Sequence, residues 1–148
     1  MILSRNGNKR RIAPILESYF PEHTTYVEPF FGSGGMFFYK KNVAKYNLLN
    51  DIDDDIYNLF TVIKERKQEF LRGLMFLPIS NRVLEYFKQN KEDDPVWKAL
   101  RFIFMANFTI YGAGNTVRVL KNNYKQTIRD RIDETVSKFE NTVFMNMD

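Results

Sequence analysis

The chain has 148 residues, 44% hydrophobic and 16% aromatic, which is enough apolar material for one domain with a real core and argues against intrinsic disorder. With no cysteine and a single histidine, His23, it excludes disulfides, thiolate zinc sites and histidine clusters, so no metal is expected. Its net charge of +4 suits a polyanion partner without requiring one, and its apolar runs fall far short of the roughly 20 residues a membrane span needs, so a soluble, cytoplasmic protein with no membrane partner is expected.

From Lys9 onward, Ile12, Ile15, Leu16 and Tyr19 fall at helical spacing until Pro21 interrupts them, which predicts a first helix. The β-branched and aromatic stretch Thr24 to Glu28 reads as a strand running into the turn Gly32-Ser33-Gly34-Gly35, with a helix expected after it. A second strand is expected over Tyr46 to Asn50. The acidic run Asp51, Asp53, Asp54, Asp55 then opens a helix whose inner face is Ile56, Leu59, Phe60 and Ile63. Strand, helix, strand, helix is the grammar of a parallel α/β sheet.

Between about Arg66 and Phe139 the pattern becomes three or four amphipathic helices, with a short hairpin as the only candidate for β-structure. Asp94-Pro95 is a helix start, an N-cap followed by proline at the first helical position, leading into Val96 to Phe108. Trp97, Phe102 and Phe104 on that helix are expected in the core. Gly112 and Gly114 mark the 107–118 segment as a loop or hairpin tip. A last helix carries Ile128, Ile132, Val136 and Phe139 on one side, and Thr142 to Met145 reads as a third strand.

A glycine-rich turn after a strand lets backbone N–H groups approach a ligand closely, although many such clusters are only tight turns. No Gly-Lys-Ser/Thr follows, and the six-residue dinucleotide fingerprint is absent. Asp51, at the end of the next strand, stands where a carboxylate can accept both hydroxyls of a ribose, which points to an adenosine-bearing ligand. Its alternative role is to cap the helix that follows.

Three stretches together resemble the opening motifs of Dam-type (D12 class) N6-adenine DNA methyltransferases. They are Arg5-Asn6-Gly7-Asn8-Lys9, Tyr26-Val27-Glu28-Pro29-Phe30-Phe31-Gly32-Ser33-Gly34-Gly35, and Asn50-Asp51-Ile52-Asp53. The resemblance implies S-adenosyl-L-methionine as cofactor, held by Asn6, Lys9, Glu28, Pro29, Phe30, Gly32, Ser33, Gly34, Asp51 and Ile52. Ile52 then packs on adenine, unless it is ordinary core. Gly7-Asn8-Lys9 departs from the family's Gly-Gly-Lys by one glycine. The family's target-recognition segment is similar to the stretch carrying Asn107, Tyr111, Asn115 and Arg118, with Lys121 beside it, so these are the expected contacts to double-stranded DNA. The basic residues Arg118, Lys121, Lys125, Arg129 and Arg131 suit phosphate contacts, or else form a solvated helix face.

By the same resemblance the fold is α/β, a partial Rossmann-like methyltransferase sheet of about three strands with a helical insert. Residues 1–65 form the cofactor-binding part, 66–140 the insert or DNA-recognition subdomain, and 141–148 the strand returning to the sheet. Methyl transfer to adenine N6 needs a flipped base whose amino group is polarised, which the family achieves with Asp-Pro-Pro-Tyr. The five prolines, at positions 14, 21, 29, 78 and 95, are never adjacent, so no catalytic residue is assigned within this sequence. The expectation is a truncated methyltransferase or, failing that, a cofactor- or DNA-binding remnant; an unrelated nucleotide-binding protein is the third reading. In the family's strand order the first strand is central, so its open edge here predicts pairing with a missing C-terminal half or self-association.

Overall fold

The computed structural model describes residues 2–3, 9–41, 44–118 and 123–148. Among these, three parallel strands, β1 (Thr25–Glu28), β2 (Tyr46–Asn50) and β3 (Thr142–Met145), form one sheet in that order. Six α-helices accompany them: α1 (Ala13–Glu17), α2 (Asp54–Glu65), α3 (Lys67–Phe76), α4 (Asn81–Gln89), α5 (Pro95–Phe108) and α6 (Tyr124–Val136). The α/β class, the three-stranded sheet and the helical run between β2 and β3 follow the sequence reading.

Alternation along the strands sends successive side chains to opposite faces. One face buries Tyr26, Glu28, Asn47, Leu49 and Thr142, and beneath it Phe31, Phe60, Phe139 and Phe144 meet in edge-to-face and stacked pairs. Helix α2 reaches this layer through the expected stripe, with Ile56, Leu59, Phe60 and Ile63 all buried. The same α2 packs on α5, so the sheet and the helical block share one hydrophobic cluster. Helix α5 begins where Asp94-Pro95 placed it, the Asp94 carboxylate accepting from the backbone of Val96 and Trp97 at 2.9 and 3.0 Å.

Several expectations need correction. The glycine turn is followed by a single helical turn, closed by Phe38 N–H to Gly34 O at 2.9 Å and Lys40 N–H to Met36 O at 3.0 Å, and among the described residues no longer helix precedes β2. Helix α1 is short, and of the predicted stripe only Leu16 packs against the core, beside the buried Ala13, while Ile12, Ile15 and Tyr19 are exposed. Trp97 lies on the outer side of α5 at 46% exposure, whereas Phe104 fills the core as expected. The hairpin reduces to one antiparallel bridge, Thr109 to Val117, around a short 3-10 turn at Ile110–Gly112.

Candidate functional site

The carboxyl ends of β1 and β2 are sewn together by groups far apart in sequence. Phe31 N–H donates to Asn50 O at 2.8 Å and the Asn50 amide donates to Pro29 O at 3.1 Å, holding the loop after β1 against the end of β2. Gly32, at φ +55, aims its N–H at Asp51 Oδ2, 2.6 Å away. The other carboxylate oxygen, Oδ1, accepts from Asp53 N–H at 3.0 Å, and Asp53 is itself the N-cap of α2. Asp51 therefore clamps the glycine turn and steadies the approach to α2, while the cap of that helix, the alternative role the sequence offered for Asp51, falls to Asp53.

Two apolar side chains flank this clamp without belonging to the core. Phe30 is 76% exposed and Ile52 64%, so ordinary core packing is ruled out for Ile52. Lys9 Nζ reaches the Phe30 carbonyl at 2.8 Å. Within the turn, Ser33 and Gly34 are buried; Gly34 has φ +73, and a Cβ there would lie 2.3 Å from Phe38 and 2.8 Å from Phe31. At Gly32 an added Cβ would meet nothing within 4 Å, which leaves open space beside that residue.

Glu28, the last residue of β1, is buried. Its Oε2 accepts from the Tyr26 hydroxyl at 3.0 Å, and its Oε1 has no hydrogen-bond partner among the described residues. Burial pushes its carboxyl up to about 7, against the opposing pull of the Tyr26 hydrogen bond, the Lys9 charge, the nearby Phe37 backbone N–H and the Lys40 charge. Lys40, also buried and held below its ordinary value by that burial, sits 3.9 Å over the Tyr26 ring and 3.2 Å from His23 Nε2. No sequence signal singled out Lys40, because its place comes from burial beside Tyr26. A separate cavity of about 290 Å³ adjoins the turn at Gly35, between Arg10, Phe38, Tyr39 and the Glu134–Lys138 side of α6.

Directly after α5, the 109–118 loop is closed by Ile110 N–H to Thr116 O at 2.9 Å and Gly114 N–H to Thr109 Oγ1 at 3.0 Å. At its tip Tyr111 is 93% exposed with φ +55, a left-handed conformation rare for a ring-bearing residue. Asn115 is exposed, and Arg118 lies 5.0 Å over the Tyr124 ring with its Nε buried and without a hydrogen-bond partner among the described residues. Asn107 is not part of this surface: it is 2% exposed inside α5, and its amide donates to Ile2 O at 2.9 Å. Lys125 is likewise withdrawn from phosphate, since its ammonium donates to Met75 O and Leu77 O at the carboxyl end of α3. Arg129 and Arg131 stay on the exposed side of α6. Asn6 and Lys121 lie outside the described residues.

A glycine turn and a carboxylate at the carboxyl edge of parallel strands define the ligand-binding class of α/β proteins. More narrowly, the chain belongs to the D12 class N6 adenine-specific DNA methyltransferase family, whose model matches residues 6–119. It is 31% identical over 112 residues to a DNA adenine methylase of Vibrio cholerae, a match covering 72% of this chain and 40% of that protein. Similar proteins named DNA adenine methylase occur in Escherichia coli K12, at 27% identity, and Salmonella typhi, at 26%, with the same coverage. The chain thus spans about 40% of the length of these relatives. Among the described residues no group of three or more histidine or acidic side chains could hold a metal, and no helix is long and apolar enough to cross a membrane.

Proposed function

We propose that this chain is the cofactor-holding and DNA-approaching portion of an enzyme that methylates adenine N6 in DNA with S-adenosyl-L-methionine. The observation that carries the reading is the Asp51 clamp on Gly32, open on both sides to the exposed Phe30 and Ile52. A carboxylate between two apolar side chains suits a nucleoside: Asp51 keeps lone pairs for ribose hydroxyls, Phe30 and Ile52 offer apolar surface to the adenine, and the unpartnered Glu28 Oε1 offers an acceptor to an ammonium group. Lys9, Pro29, Ser33 and Gly34 complete the holder, with Asn6 beside Lys9 in sequence. When bound, the cofactor supplies an electrophilic methyl group on a sulfonium. The reading needs no metal and goes with a cytoplasmic location.

On this reading residues 1–65 and 141–148 build a Rossmann-like cofactor half and 66–140 the DNA-recognition insert. Tyr111, Asn115, Arg118 and Lys121 then approach double-stranded DNA, while the groups that polarise the target amino group come from outside this sequence. Calorimetry tests the reading: S-adenosylhomocysteine should bind the chain and lose affinity in Asp51→Ala, whereas ATP and NAD should not bind. Binding of ATP or NAD in its place would overturn it. A second reading is a cofactor- or DNA-binding remnant without transfer. It predicts cofactor or duplex binding with no methylation, even with the remainder of a relative supplied.

A further inference from the structure

Lys40 ends the helical turn that follows the glycines and is only 5% exposed, so its ammonium forgoes the hydration that a surface lysine keeps. Its surroundings are specific. His23 Nδ1 lies 2.8 Å from the Pro21 carbonyl, which can only accept, so Nδ1 carries the ring hydrogen and Nε2 is left to accept from Lys40 Nζ at 3.2 Å. The same ammonium stands 3.9 Å over the Tyr26 ring, which Phe20, His23 and Phe37 surround at centroid distances of 6.0, 6.2 and 6.4 Å. Among the described residues the charge thus meets one neutral acceptor and one ring, and a methionine would fill the same volume without the cost of desolvation. Packing alone does not account for a lysine here.

What the ammonium does have is a hold on Tyr26. Tyr26 and Glu28 are two apart on β1 and share its inner face, where the Tyr26 hydroxyl donates to Glu28 Oε2 at 3.0 Å. A positive charge over a phenol ring draws electron density from it and strengthens the O–H as a donor. Glu28 therefore receives the Tyr26 hydroxyl on one oxygen, with the Lys9 charge, the Phe37 backbone N–H and the Lys40 charge also favouring its ionised form, while Oε1 keeps its lone pairs without a partner. Glu17 and Glu28 in turn favour the charged form of Lys40 against its burial.

From this geometry we infer that Lys40 is a positioning residue: acting through Tyr26, it fixes the Glu28 carboxylate and favours its ionised form for the ammonium group at the amino-acid end of the cofactor. This rests on the reading of Glu28 as part of the S-adenosyl-L-methionine site. Without the Tyr26 hydroxyl or the Lys40 charge, the burial that already pushes the Glu28 carboxyl up to about 7 would meet less opposition, and near neutral pH more of the chain would carry Glu28 protonated. A protonated carboxyl offers an ammonium group no charge.

Carbon-13 shifts of the Glu28 carboxyl, followed against pH in the 148-residue chain, test the relay without any ligand. In Tyr26→Phe and in Lys40→Met the Glu28 midpoint is expected above that of the parent. Lys45→Met, which removes the same charge from over the exposed Tyr46 ring, should leave it in place. Calorimetry with S-adenosylhomocysteine near pH 7 gives the second readout: affinity should fall about tenfold in Tyr26→Phe and Lys40→Met, recover as pH is raised toward about 8, and stay unchanged in Lys45→Met. A merely structural role would not produce that recovery, and circular dichroism identifies any variant that fails to fold. A Glu28 midpoint unmoved in both variants, or affinity indifferent to both while the midpoint moves, would overturn the inference. No binding by the parent chain would instead overturn the reading of the site on which it rests, so the two failures are separable.

Discussion

At the carboxyl ends of β1 and β2, turns are held by partners from distant parts of the chain, whereas the 109–118 loop holds itself. Gly32 depends on Asp51, and Asn50 on Met147; Asn146 reaches the carbonyls of Asp51 and Ile52 at 2.9 and 3.1 Å. In the other loop nearly every bond is local, as between Thr109, Gly114 and Met105. The first region exists only when the whole sheet is assembled, so it is preorganised for a small ligand that tolerates little misplacement. The second is held by its own residues and presents the exposed Tyr111, the side chain that the proposed function turns toward duplex DNA.

If the glycine turn owes its shape to tertiary contacts, filling its one crowded position should do the most damage. Gly34→Ala, whose Cβ would strike Phe38 and Phe31 and whose φ is positive, should lower unfolding free energy by about 3 kcal/mol, while Gly32→Ala, strained but unobstructed, should lose only about 1 kcal/mol. Denaturant melts of both would show it, and equal losses would mean that strain alone governs the turn.

Glu28 gives a comparable effect with a pH signature. Its folded carboxyl titrates near 7 against an ordinary value of 4.5, so the folded state holds the proton more tightly than the unfolded chain. Stability from this group is fully present below about pH 4.5 and falls as pH rises through 7, by about 3 kcal/mol in all. Glu28→Gln should remove that slope in melts taken between pH 4 and 8, and a slope that persists would place the titration elsewhere.

Under the proposed function Asp51→Ala should cut S-adenosylhomocysteine affinity on the order of a hundredfold, because it would remove the proposed ribose acceptor together with the clamp on Gly32. For the loop the expectations are smaller and split by burial. Asn107→Ala should destabilise the fold by about 1.5 kcal/mol and leave duplex affinity at equal folded concentration unchanged, since its amide serves Ile2. Arg118→Ala should weaken duplex binding a few-fold and flatten its salt dependence. Fluorescence anisotropy with a labelled duplex separates the two, and the reverse ranking would remove the loop from the interface.

The sequence disclosed what depends on local order. The strands, the acidic start of α2, the Asp94-Pro95 cap of α5 and the run of glycines after β1 are each written in neighbouring residues. It concealed what depends on the side a residue faces. The spacing of Ile12, Ile15 and Tyr19 is helical, yet Ala13 faces the core, because periodicity marks a stripe and not its neighbour. Asn107 and Lys125 have the chemistry of DNA contacts, but each is consumed by a backbone carbonyl that only the tertiary fold brings near.

The central claim is that the Asp51 clamp, not the 109–118 loop, receives the nucleoside of the cofactor. Amide chemical shifts of the isotopically labelled chain, followed while S-adenosylhomocysteine is added, test it most directly. Shifts centred on Gly32, Asp51 and Ile52, with Tyr111 and Gly114 unmoved, are the predicted result; shifts centred on the loop, or none at the clamp, would contradict it.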